Sequence, residues 1–154
     1  MDINQPELEL FKKNYIAGKN QLLFHTFAAD VHTPVSALIK LKEEDYTFLF
    51  ESVEKGSQKG RYSVIGLKPD LIWECKNNIC KFKDLNISSK SKILKTNPLD
   101  SLKNLFNSNN LKLPNIIPSI SSGFFGYMGY EMIRYFENVN LKKLNSLDLP
   151  DSIF

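Results

Sequence analysis

Reactive side chains are sparse in this sequence, and few stand at spacings that chemistry needs. Its two histidines, His25 and His32, have no partner acid or thiol at a motif spacing, so both read as structural rather than catalytic. Two cysteines, Cys75 and Cys80, flank Asn77-Asn78 in what reads as a tight hairpin, which sets the thiols opposite each other on paired strands. A disulfide is sterically conceivable there. A reducing cytosol normally keeps it open, however, and two thiols without a third or fourth ligand make a poor zinc site, so the pair reads as ordinary strand residues. Taken alone, Glu51-Ser52 is a strand end with an exposed acid and a capping serine. No cluster of acids or basic catalysts gathers at a plausible spacing anywhere in the chain.

Cation usage is biased. Of the 20 basic residues only Arg61 and Arg134 are arginine. A guanidinium retained in a lysine-rich chain points to a need for its planar fork of donors, which an ammonium cannot supply; chance is the competing explanation. Arg61 has two readings: partner to a ligand carboxylate or an interdomain ion pair, or a surface residue at a loop–strand junction.

Composition bounds the rest. At 154 residues, 42% hydrophobic and 24% charged, the chain fits one globular domain able to bury roughly two thirds of its unfolded surface. The net charge of +3 is mixed along the chain except for a lysine-rich stretch from Lys81 to Lys95. That stretch lacks the interleaved aromatics of a nucleic-acid surface and reads as a solvated face. The polar start, Met1 to Pro6, is no signal peptide, and no apolar run approaches the roughly 18 residues of a membrane span. These features place the chain in the cytoplasm, with neither nucleic acid nor membrane as partner.

The elements that position these residues follow from periodicity and punctuation. Pro6 to Ile16 reads as a helix with Leu8, Phe11 and Tyr15 on one face, stopped by Gly18, followed by a strand over Gln21 to Ala28 that carries His25. Thr33-Pro34 is an N-cap followed by proline, opening a helix through Leu41 with Val35, Leu38 and Ile39 inward. Thr47 to Val53 is a strand; beyond a polar loop, Tyr62 to Leu67, Asp70 to Cys75 and Ile79 to Lys83 read as a meander of three more. Asn97-Pro98 opens a helix with Leu99, Leu102 and Phe106 on one face. Gly123 to Tyr130 reads as a strand whose glycines, Gly123, Gly126 and Gly129, admit a close backbone. The favoured partner for that strand is a domain outside this chain, with Tyr127 and Tyr130 as core or interface aromatics. A helical turn spans Glu131 to Phe136. Strands and helices mix without a strand–helix–strand rhythm, so the expected class is α+β, mainly antiparallel sheets packed with flanking helices. The last residues, Ser152-Ile153-Phe154, are apolar and strand-like, and the expectation is a domain cut from a longer chain.

Three stretches together resemble one family. Thr33-Pro34-Val35-Ser36 leads into Leu49-Phe50-Glu51-Ser52 and then Gly60-Arg61-Tyr62-Ser63-Val64-Ile65-Gly66; Gly123 to Arg134 forms a glycine-and-tyrosine strand followed by an acid and an arginine; Leu149-Pro150-Asp151 comes last. In order and spacing, from about Phe24 onward, these resemble the N-terminal domain of the large subunit (component I) of anthranilate synthase. Phe50 stands where the family usually has leucine, and Glu131 where aspartate is common.

The resemblance implies an enzyme that aminates chorismate with ammonia from a glutamine amidotransferase subunit, component II, and eliminates pyruvate to leave anthranilate, with magnesium (Mg2+) assisting. It puts the catalytic and metal residues in a C-terminal chorismate-binding domain, so this chain carries none of them and is inactive alone. It also implies that the Glu51-Ser52 segment forms part of a tryptophan feedback site. There Glu51 meets the ligand ammonium, the Ser52 hydroxyl bonds a backbone-like group of the ligand, Phe50 walls the indole, and Arg61 is a further candidate. A sister family, the large subunit of aminodeoxychorismate synthase in folate synthesis, shares this domain; the well-formed Thr33 to Leu41 segment favours anthranilate synthase. A free-standing amino-acid-binding module is the reading from a different functional class.

Overall fold

A computed structural model describes residues 8–41, 45–52, 62–87, 90–109, 111, 113–141 and 147–154. The architecture is α+β, as expected, with two antiparallel sheets. The larger is organised by a hairpin. Strands β1 (Leu71–Lys76) and β2 (Ile79–Asp84) are joined by Asn77 and Asn78, both at positive φ (50° and 66°), the conformation a two-residue turn requires and asparagine tolerates. The register sets Cys75 opposite Cys80 and Trp73 opposite Phe82, so these side chains share one face. Strand β3 (Lys92–Leu94), near the end of the lysine-rich stretch, borders β2.

On the other side of β1 lies β4 (Ser152–Ile153), the end of the chain, and beyond it β5 (Tyr127–Met128), giving the order β3-β2-β1-β4-β5. The partner of the glycine segment is therefore the chain's own tail rather than a separate domain. A Cβ on Gly126 would meet the Ile153 carbonyl oxygen at 1.9 Å, and one on Gly129 the Asp151 carbonyl oxygen at 2.8 Å. Gly123 faces open space, so only two of the three glycines answer to backbone approach. The ladder itself is short, and Tyr127 (41% exposed) and Tyr130 (71%) lie at its surface instead of in a core.

The buried cluster is Trp73, Cys75, Cys80 and Met132. Helix α1 (Pro98–Ser108) closes it: Asn97 accepts from the Leu99 N–H (2.9 Å), Pro98 occupies the first turn, and Leu99, Leu102 and Leu105 pack on the cluster. Leu105 takes the place expected for Phe106, which is exposed and 6.3 Å from Phe124. The Trp73 indole N–H donates to the buried Ser101 hydroxyl (2.8 Å), fixing the helix on the sheet.

The smaller sheet is a pair, β6 (Phe48–Glu51) with β7 (Ser63–Gly66), so the expected meander is interrupted: β7 returns to β6 and not to β1. Helix α2 (Pro34–Leu41) packs on it, its start capped reciprocally by Thr33 and Ser36 (3.1 and 2.9 Å). Of the three positions expected inward, Leu38 is half-buried, as is Ala37 beside it, while Val35 and Ile39 are exposed. Helix α3 (Leu8–Ile16) is the first element among the described residues and ends at Gly18 (φ 64°), but Leu8 and Tyr15 are exposed. Residues 21–28 form no strand: no ladder pairs them among the described residues, and Leu23 and Phe27 face solvent.

Gly126→Ala should displace the tail strand and cost about 2–4 kcal/mol in urea unfolding, with faster amide exchange at Trp73 and Phe154. Gly18→Ala, in open space, should cost only about 1 kcal/mol. Burial, then the neighbouring Cys80, push the Cys75 thiol from 9.0 to about 12, and burial, then Cys75, push Tyr135 from 10.0 to about 12. Both groups are held neutral in the fold. Their contribution to stability is complete below pH 9 and is lost as pH rises towards 12. Alkaline titration of the folded chain should show that loss, and Cys75→Ala should flatten it.

Candidate functional site

Strand β6 carries the residues singled out from sequence. Its ladder pairs Phe48 with Gly66, Leu49 with Ile65, Phe50 with Val64 and Glu51 with Ser63. The Ser52 N–H donates to the Tyr62 carbonyl (3.3 Å), adding one further rung. Alternation along a strand sends successive side chains to opposite faces. Phe48, Phe50 and Ser52 therefore share one side, and Leu49 and Glu51 take the other. Phe50, Glu51 and Ser52 are all exposed. Arg61 lies outside the described residues.

The Phe48 side is aromatic. The Phe48 ring is 4.9 Å from that of Phe50 and 5.4 Å from that of Phe125, and it lies over Gly66, where a Cβ would meet it at 2.0 Å. A broad cleft of about 790 Å³ opens beside it, lined by Tyr46, Phe48, Val64, Phe125 and Phe154 among others. Phe50, Glu51 and Ser52 stand at the end of the hairpin and do not line this cleft. Sequence reasoning missed Phe48 and Phe125. The signal for Phe48 was its period-two relation to Phe50; nothing local linked it to Phe125, 77 positions along.

The other reactive residues are engaged in structure. The Arg134 Nε donates to the Glu131 carbonyl (2.7 Å), its Nη2 lies 3.9 Å from the Asp151 carboxylate, and its guanidinium sits 5.9 Å from the Tyr135 ring centre. The planar fork expected from the arginine bias is used here. Asp151, only 4% exposed, also accepts from the Asn77 N–H (2.8 Å). His25 stacks on Phe27 (6.1 Å) off any strand, and the His32 N–H closes a turn to Ala29. Cys75 and Cys80 are free thiols. Among the described residues no three His, Cys, Asp or Glu side chains gather as a metal ion would need, and no helix is long and apolar enough to cross a membrane.

Comparison with known proteins decides the family. The chain is 38% identical over 153 residues to anthranilate synthase component 1 of Cereibacter sphaeroides, a match spanning 94% of this chain. The chain belongs to the anthranilate synthase component 1 family. Proteins of that name from Acetivibrio thermocellus (34% identity over 82% of the chain) and Synechocystis (35% over 86%) agree. The chain spans between 25% and 30% of the length of these curated relatives. No family model matches it. Nor does any solved structure match at a significant level.

Proposed function

We propose that this chain is the N-terminal regulatory part of anthranilate synthase component 1 and contributes to its tryptophan feedback site. The whole enzyme then converts chorismate and glutamine to anthranilate, pyruvate and glutamate, the first step of tryptophan biosynthesis, with a glutamine amidotransferase subunit supplying ammonia. The observation that carries the reading is identity of 38% along 94% of a chain that spans only 30% of its relative. Each relative named above is an anthranilate synthase component 1, which supports this reading over aminodeoxychorismate synthase.

The division of labour follows from what the residues can and cannot do. Among the described residues no three His, Cys, Asp or Glu side chains gather as a metal ion would need. The magnesium ligands and the catalytic groups are assigned to the chorismate-binding domain of the longer protein. What this chain offers is the exposed end of β6. Because Glu51 and Ser52 alternate across the strand, one amino acid can reach both only by lying across the strand end rather than on either face. In that pose the Glu51 carboxylate meets the ammonium, the Ser52 hydroxyl bonds the ligand's polar backbone group, and Phe50 walls the indole, with Arg61 as the candidate for the carboxylate.

The chain alone, given chorismate, ammonia and magnesium, should make no anthranilate; fluorescence above a heat-treated control would refute the division. In full-length component 1 carrying this segment, Ser52→Phe should weaken tryptophan inhibition about tenfold to a hundredfold, the loss of one hydrogen bond plus a clash, roughly 1–3 kcal/mol. Uninhibited turnover should stay near its original value, because binding at one site and activity at another are linked only through a coupling energy. Glu51→Gln should act in the same direction. Inhibition curves at fixed chorismate measure both, and turnover falling as steeply as inhibition would place the regulatory site elsewhere.

A further inference from the structure

The Cys75–Cys80 pair takes no part in the proposed regulation, and its placement is specific. Lys76 and Ile79 close the two-residue turn as the hydrogen-bonded pair of the hairpin, so the next pair, Cys75 and Cys80, is the non-hydrogen-bonded kind, where side chains of opposite strands come closest. The Cα separation of such a pair falls within the range a disulfide accepts. Both thiols are fully buried, free, and on the same face as Trp73. The Tyr135 hydroxyl is buried beside Cys75.

We propose that Cys75 and Cys80 form a redox latch, a disulfide across the β1–β2 hairpin that is set while the hairpin is open and shielded once the fold has closed. Burial that holds the thiols protonated and out of reach slows attack in the native state, and the same burial protects the finished bond from reductant. The oxidant is a small-molecule disulfide of the glutathione type. One cysteine thiolate attacks it, forming a mixed disulfide and releasing one thiolate. The second cysteine thiolate then attacks the cysteine sulfur of that mixed disulfide, forming the Cys75–Cys80 bond and releasing the second thiolate. The two departing thiolates take up the two cysteine protons, and two electrons pass from the cysteines to the oxidant. The bond bridges the hairpin that carries β4 on its other edge, where Cys75 pairs with Ser152, so the latch stiffens the seat of the tail strand.

The test is refolding of the chain from urea in mixed oxidised and reduced glutathione, with refolding in dithiothreitol as reference. The expected product is a monomer on a non-reducing gel, lighter by two hydrogens, with a melting temperature raised by about 5 °C for a short closed loop. Its emission should be quenched, since Trp73 is the only tryptophan and lies one position along the same face. Dithiothreitol should reverse these changes quickly in urea and slowly in buffer, and the native reduced chain should oxidise far more slowly than the refolding one. Cys80→Ser and Cys75→Ser should each abolish the mass change. The wild-type readouts decide the matter without those variants: a folded product that keeps both thiols, a cross-linked dimer, or a disulfide reduced equally fast with and without urea overturns the proposal.

Discussion

The structure depends on one steric condition, that nothing protrudes from Gly126 and Gly129 where residues 151–154 pass. With a side chain at Gly126 the Ile153 carbonyl has no room, and the tail cannot lie between β1 and β5. What the tail supplies is substantial. Trp73 and Phe154 exchange both backbone hydrogen bonds (2.9 Å each), which gives β1 a partner on each side, and their rings meet at 6.3 Å. A strand buried on both edges leaves no backbone group of Trp73 unsatisfied, which is what allows that residue to be fully buried. The Ser101 hydrogen bond completes the arrangement by satisfying the indole.

Holding a tail in the middle of a sheet also needs a local anchor, and Asp151 is that anchor. A carboxylate this buried is costly unless its oxygens are engaged. One oxygen accepts from the Asn77 N–H and the other lies near Arg134, which is itself tied to the Glu131 carbonyl. The left-handed Asn77 of the hairpin turn thus serves a second purpose, directing its N–H toward a residue 74 positions away. Hairpin, helical turn and tail are joined at a single charge.

The parts of the fold with local chemical signals were legible in the sequence. Thr33-Pro34 and Asn97-Pro98 each mark a helix start through a side-chain acceptor and a residue that needs no amide partner, and Asn77-Asn78 marks a hairpin through tolerance of positive φ. The glycine segment was legible only in part: its spacing announced a close backbone but could not say whose. Where the reading failed, the deciding partner was distant. Residues 21–28 have the apolar and aromatic content of a strand, yet a strand exists only when another pairs with it. Phe48 became an aromatic wall through Phe125, which no local pattern connects to it. The candidate site was half legible, since Glu51-Ser52 follow from a family resemblance while their division between two faces follows from register alone.

The remaining disagreement, at the apolar positions of α2 and α3, has a physical reading of its own. Helical periodicity marks an apolar face, and Val35, Ile39, Leu8 and Tyr15 have that periodicity while standing exposed. Exposed apolar side chains in neighbouring turns are costly in water and mark contact surfaces. Those of α2 border a two-stranded sheet that is marginal by itself. A hairpin of low intrinsic stability, carrying the proposed feedback residues and backed by a helix with uncovered apolar positions, is sensitive to whatever packs on it. If the remaining seven tenths or more of component 1 supply that packing, as the proposed function requires, a ligand across the end of β6 alters the same contacts that join regulation to catalysis, and the periodicity and the exposure of these helices cease to conflict.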